Sequence, residues 1–94
     1  MGRLMREIIR DSQFKADFKK VGKSGRYKLK DILDVIESLS KDIPLEPRLR
    51  DHALSNNWKD HRECHIKPDL LLIYRKPNEM LLQLVRIGSH SELF

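Results

Sequence analysis

The sequence is poor in several features that other functional classes need. It has one cysteine, Cys64, in 94 residues. That excludes an internal disulfide and any paired-cysteine motif, and it fits a reducing compartment. No run of 18 apolar residues is present, so no transmembrane helix is expected. The first residues, Met1-Gly2-Arg3-Leu4-Met5-Arg6-Glu7, place charge beside every apolar side chain and contain no apolar signal-peptide region. The default is a cytoplasmic protein that does not engage a membrane. Four glycines form no glycine-rich phosphate loop, and no serine elbow appears. Aromatic residues are few, and no RNP-type motif is present, which weighs against a plain RNA-binding module. The length suits one domain, residues 1–94, with a small core.

Charge is abundant but uneven. The formal net charge is +5. Residues 1–30 hold ten Lys/Arg against three Asp/Glu, and residues 31–94 hold nine against eleven. The positive excess therefore sits in the first third, where it can attract a polyanion or serve only as a solvated helix surface.

The apolar pattern changes period along the chain. Leu4 to Arg10, centred on Ile8-Ile9, suits a short strand. Asp11-Ser12 offers two N-caps, and behind them Phe14, Phe18 and Val21 recur at helical spacing. Lys15, Lys19, Lys20 and Lys23 fall on the other faces of that helix, and Gly22 and Gly25 end it. A second helix is predicted over Tyr27 to Lys41, with Leu29, Ile32, Leu33, Ile36 and Leu39 on its apolar face. The two helices should pack as an antiparallel hairpin. The segment from Ile43 to Pro47 stops the second helix.

From Trp58 the period is two. Trp58, Asp60, Arg62, Cys64 and Ile66 would point one way, and Lys59, His61, Glu63 and His65 the other. After a turn at Lys67-Pro68-Asp69, the run Leu70 to Tyr74 reads as a strand covered on both faces. A second turn at Lys76 to Glu79 leads into a third strand, Met80 to Ile87. The expected fold class is α+β, in the order β-α-α-β-β-β, with the helical hairpin on one face of a mostly antiparallel sheet.

All four histidines lie in the second half. His65 shares a strand face with Glu63, while Arg86 and His90 come late, near where strand ends meet. A rim of His52, His65, Asp69, Arg86 and His90 would match cleavage of RNA by its own 2′-hydroxyl. That reaction needs a base for the hydroxyl, a cation for the phosphate and an acid for the leaving 5′-oxygen. It requires no metal and no cofactor. His61 and His65 flank Cys64 at a metal-like spacing. On an extended strand they would lie about 13 Å apart, at ~3.3 Å per residue, too far to share one ion without a bend. Cys64 would point away from the histidines and behave as a small buried apolar residue.

The chain resembles the RelE superfamily of bacterial toxins, and within it the YafQ-like mRNA interferases. The residues that carry the resemblance are Arg50 to Leu54, Trp58 to Tyr74, and Arg86-Ile87-Gly88-Ser89-His90-Ser91-Glu92-Leu93-Phe94. The first forty residues agree in pattern only. The resemblance implies a toxin that cuts mRNA in the ribosomal A site and is held inactive by a cognate antitoxin. The family's catalytic positions fall on His52, His65, Asp69, His90 and Phe94, with Phe94 positioning a base. Arg86 matches a position that would hold the scissile phosphate, alongside Glu63. Either His65 or His52 would be the base, and His90 the acid. The family commonly has aspartate where this chain has Glu63, and an aromatic ring where it has His61. The lysines of the first helix would meet ribosomal RNA. The alternative within the superfamily is a non-catalytic toxin that binds and inhibits DNA gyrase, which would not need this histidine set.

Overall fold

In a computed structural model, residues 5–94 are described. The first strand, β1 (Glu7–Arg10), is followed by helices α1 (Ser12–Ser24) and α2 (Leu29–Ser40). Four more strands come next: β2 (His52–Ala53), β3 (Arg62–Lys67), β4 (Leu70–Arg75) and β5 (Leu81–Gly88). A short helix, α3 (His90–Leu93), follows them. The sheet order is β1-β5-β4-β3-β2. β1 runs parallel to β5, and the other pairs are antiparallel. The α+β class is as expected. The predicted start of the first strand at Leu4 lies outside the described residues.

The helices cover one sheet face. Phe14 from α1 and Ile32, Val35, Ile36 and Leu39 from α2 are buried against Cys64, Ile66, Leu70, Leu72, Tyr74, Leu82, Leu84 and Ile87, with Phe18 and Val21 packed alongside. The Phe14 and Phe18 rings stack at 5.6 Å, so the predicted phenylalanine pair is core. On the other face Leu71, Ile73 and Leu93 are buried, flanked by Leu54, Trp58 and Val85. β4 is thus covered on both sides, and its continuous apolar run reflects that.

Several expectations need correction. Leu29 and Leu33 are 55% and 49% exposed. The buried stripe of α2 is Ile32, Val35, Ile36 and Leu39, and at 3.6 residues per turn Leu33 lies about 100° from Ile32. Gly22 does not end α1, which runs on to Ser24 and stops at Gly25, whose φ of 68° is the left-handed helix cap. Asp11 stands at the N-cap but makes no side-chain cap, since its carboxylate accepts from Gln83 of β5 at 2.9 Å. The strand predicted from Trp58 begins only at Arg62. Asn56 and Asp60 have φ of 56° and 68°, a left-handed conformation that Asn and Asp tolerate and a strand does not. A 3-10 turn (Asn56–Trp58) takes the place of the first strand residues. His61 therefore lies before the strand and does not share its alternation.

β5 contains a second departure from a period of two. Leu84 pairs with Tyr74, but Arg86 pairs with Ile73, so Val85 is an extra residue in the ladder. This bulge returns Ile87 to the helix-side core with Leu82 and Leu84.

Candidate active site

The register of β2, β3, β4 and β5 builds the site. His52 pairs with Glu63, Glu63 with Ile73, and Ile73 with Arg86, forming one row across the sheet. In the next row His65 pairs with Leu71, and Leu71 with Gly88. Strands lie ~4.8 Å apart, so His65 and Gly88 are about 10 Å apart across the leucine. The row that carries His65 thus leads directly into the Gly88–Phe94 segment.

Glu63 is the centre of the first group. Its side chain is 7% exposed, and Oε2 lies 3.2 Å from His52 Nε2 and 3.7 Å from His65 Nε2. Glu63 Oε1 is buried and has no hydrogen-bond partner. A buried carboxylate needs compensating partners, and both imidazole Nε2 atoms face the same oxygen, that of His65 beyond hydrogen-bond reach. The His52 and His65 rings are 6.4 Å apart. His52 Nδ1 donates to the Arg50 carbonyl at 2.6 Å, so Nε2 is the ring nitrogen turned toward Glu63.

The second group is a row of rings. His61 meets Trp58 edge-on at 5.4 Å, Trp58 meets Phe94 edge-on at 6.1 Å, and His90 lies against Phe94 at 5.0 Å. Phe94 is 49% exposed. The segment is held in place by its own cap. Ser89 accepts from the Glu92 backbone N–H, and the Glu92 carboxylate accepts from the Ser89 backbone N–H at 2.8 Å, a reciprocal capping box. Glu92 also pairs with Lys20 of α1 at 3.0 Å. The Ser89 backbone N–H, then Lys20 and the Ser89 hydroxyl, lower its carboxyl to about 2. Leu93 is buried on Leu71 and Ile73. Gly88 allows this close return, because a Cβ there would lie 3.1 Å from Glu92 Oε1 and 3.3 Å from Leu93.

Two predicted residues are engaged elsewhere. Asp69, in the β3–β4 turn, pairs with Arg26 at 2.6 Å, and no hydrogen bond or ion pair joins it to the histidines among the described residues. Arg86 donates to Asp17 of α1 through Nε at 2.6 Å and through Nη2 at 3.1 Å. The same carboxylate accepts from the Ile87 backbone N–H at 3.2 Å, so Asp17 satisfies the β5 edge beyond the end of β1. Of the predicted basic face, Lys15, Lys19, Lys20 and Lys23 are all exposed on α1.

Cys64 is fully buried on the helix side, and burial pushes its thiol up to about 12, so it is no nucleophile at neutral pH. Among the described residues no three His, Cys, Asp or Glu side chains are placed to hold a metal ion, and no helix is long and apolar enough to cross a membrane.

Sequence reasoning missed Asp17, the partner of Arg86, because 69 positions separate them. It also missed Asp51, which receives the Tyr74 hydroxyl at 2.6 Å and Arg62 Nε at 3.3 Å. The spacing Ser89-x-x-Glu92 did carry a local signal for α3.

A family model described as a bacterial toxin of type II toxin-antitoxin systems, YafQ, matches residues 6–94. An mRNA interferase toxin YafQ from Escherichia coli BL21-DE3 is 34% identical over 97% of this chain and 98% of its own length. A metal-bound toxin from Helicobacter pylori is 47% identical, with a TM-score of 0.88 over 96% of this chain and 100% of that one. The toxin–antitoxin complex DinJ–YafQ of E. coli matches at 31% identity and a TM-score of 0.85, over 96% and 98% of the two chains.

Proposed function

The chain belongs to the YafQ family of toxins of type II toxin–antitoxin systems and is an endoribonuclease of the mRNA interferase kind; we propose that it cuts ribosome-bound mRNA in the cytoplasm by metal-independent acid–base chemistry. The observation that carries this reading is the buried Glu63 flanked by His52 and His65, about two strand spacings from the segment bearing His90 and Phe94.

In the proposed reaction, the Nε2 of His52 or of His65 takes the proton of the mRNA 2′-hydroxyl. The 2′-oxygen attacks the adjacent phosphorus, and the bond from phosphorus to the 5′-oxygen breaks. His90 gives its proton to that oxygen. The products are a 2′,3′-cyclic phosphate and a 5′-hydroxyl. Oε2 of Glu63 faces both imidazoles and keeps the two rings together. Arg86 uses Nε and Nη2 on Asp17 and makes no hydrogen bond through Nη1 among the described residues. Nη1 is the group we assign to the phosphate charge. Phe94 stacks on a base. Asp69 would join the reaction only by leaving Arg26, an exposed pair of low cost to break. The H. pylori relative is metal-bound; the reaction proposed here runs no step through a metal. Lys15, Lys19, Lys20 and Lys23 face ribosomal RNA. The partner that silences the protein is an antitoxin, as DinJ is for the E. coli relative.

The test adds the purified protein to mRNA with and without ribosomes. Cleavage only with ribosomes is expected, and His90→Ala should abolish it while ribosome binding persists. No cleavage, together with blocked supercoiling by DNA gyrase, would overturn the reading in favour of a gyrase-binding toxin.

A further inference from the structure

β2 is two residues long and lies at the sheet edge, and both His52 and Ala53 are exposed. Such a strand has little burial of its own to hold it and would open locally at small cost. The hold comes from the residue before it. Asp51 alternates to the helix side of the sheet, where its Oδ1 receives the Tyr74 hydroxyl at 2.6 Å and Arg62 Nε at 3.3 Å. Tyr74 is 1% exposed in the central strand β4, so its ring is fixed by close packing. Burial first, then the Asp51 carboxylate, push its hydroxyl far above the usual range, which makes it a permanent donor. Between Asp51 and the preceding 3-10 turn (Pro47–Leu49), Arg50 takes the left-handed conformation at φ 50°. Its carbonyl there accepts from His52 Nδ1 at 2.6 Å.

We propose that Asp51 and Tyr74 are positioning residues for His52. Tyr74 pins Asp51 to the rigid centre of the sheet, and the turn so fixed holds the His52 Nδ1–H on the Arg50 carbonyl, which aims Nε2 into the site. Neither residue touches the reacting atoms. The inference rests on the reading of His52 as a member of the acid–base site.

Tyr74→Phe removes one hydroxyl and keeps the ring. The single-turnover cleavage rate on programmed ribosomes should fall about tenfold to a hundredfold, with ribosome affinity unchanged. In histidine NMR, the His52 ring should lose its single Nδ1–H tautomer and shift, while His65 and His90 keep their resonances. In a His52→Ala background, Tyr74→Phe should have no further effect on cleavage, which a merely structural role would not predict. Asp51→Asn, which keeps an acceptor for Tyr74, should lose less activity than Asp51→Ala, and this pair carries the comparison if Tyr74→Phe does not fold. The proposal is overturned if these variants lower stability yet leave the cleavage rate of folded protein and the His52 resonances unchanged. If His52→Ala itself cuts at the normal rate, the acid–base role of His52 fails, and the NMR arm still decides the positioning.

Discussion

Asp17→Ala should be among the most destabilising single changes on this surface, although no core atom is lost. The Asp17 side chain is 11% exposed and that of Arg86 25%. The carboxylate accepts from Arg86 Nε and Nη2, from the Ile87 backbone N–H, and from Gln13 Nε2 at 3.3 Å. Breaking a fully buried pair costs ~3–5 kcal/mol, and an exposed one under about 1 kcal/mol. This pair lies between those limits, and alanine also strands a β5 backbone donor, so a loss of about 3 kcal/mol is expected. A chain of this length has ~5–14 kcal/mol in total, so the variant should still fold, with its melting temperature lowered by about 12–24 °C. Asp17→Asn keeps an acceptor for Ile87 and should lose only about 1–2 kcal/mol. Urea denaturation of the three proteins measures both differences. Burial raises the Asp17 carboxyl, but Arg86 and the Ile87 N–H outweigh it and hold the group below its usual 3.8. Its contribution is therefore present above about pH 4 and lost as pH falls through the lowered value. The wild type should lose stability there faster than Asp17→Ala. A variant within about 0.5 kcal/mol of wild type would refute the claim that Asp17 ties α1 to the β5 edge.

The remaining expectations concern the tail and the basic face. Because the Glu92 carboxyl is lowered from 4.5 to about 2, its cap is intact above about pH 4.5 and is lost on acidification toward pH 2. The emission of Trp58, which touches Phe94, should change over that window and should not in Glu92→Gln. Deleting Phe94 removes a half-exposed ring and its contacts with Trp58 and His90, so stability should drop by only about 1–2 kcal/mol. Cleavage should fall far more, and equal losses measured by denaturation and by ribosome assay would contradict its role. Changing Lys15, Lys19 and Lys23 to Gln should reduce the slope of log affinity for ribosomes against log salt by about 2. An unchanged slope would make that face a solvated surface only.

The parts of this fold that were legible in the sequence are those with local cause. α1 announces itself by period, with the Phe14–Phe18 pair at helical spacing, and β4 by its continuous apolar run. Leu33 misled because α2 has more apolar residues than its buried stripe can hold, and only packing decides which are covered. The start of β3 was lost to Asn56 and Asp60, whose left-handed conformations cost little and leave no mark on a hydrophobic pattern. At the site, Glu63 and His65 could be placed on one strand face because alternation is a local rule. His52 joins them through a two-residue strand too short to show a period. The Asp17–Arg86 and Asp51–Tyr74 contacts join distant residues through topology, and no spacing rule reaches them. The bulge at Val85 puts Ile87 out of phase with Leu84, and the strand expected from Met80 to Ile87 did not include it.

The central claim is that the RNA's own 2′-hydroxyl is the nucleophile and that histidines move the protons. It is tested most directly with an mRNA carrying a single 2′-deoxynucleotide on the 5′ side of the mapped cut, on otherwise normal programmed ribosomes. Cleavage at that bond should disappear, and the unmodified message should yield a 2′,3′-cyclic phosphate by mass spectrometry. Cleavage of the deoxy-substituted bond at the normal rate, or a 5′-phosphate on the downstream fragment, would contradict it.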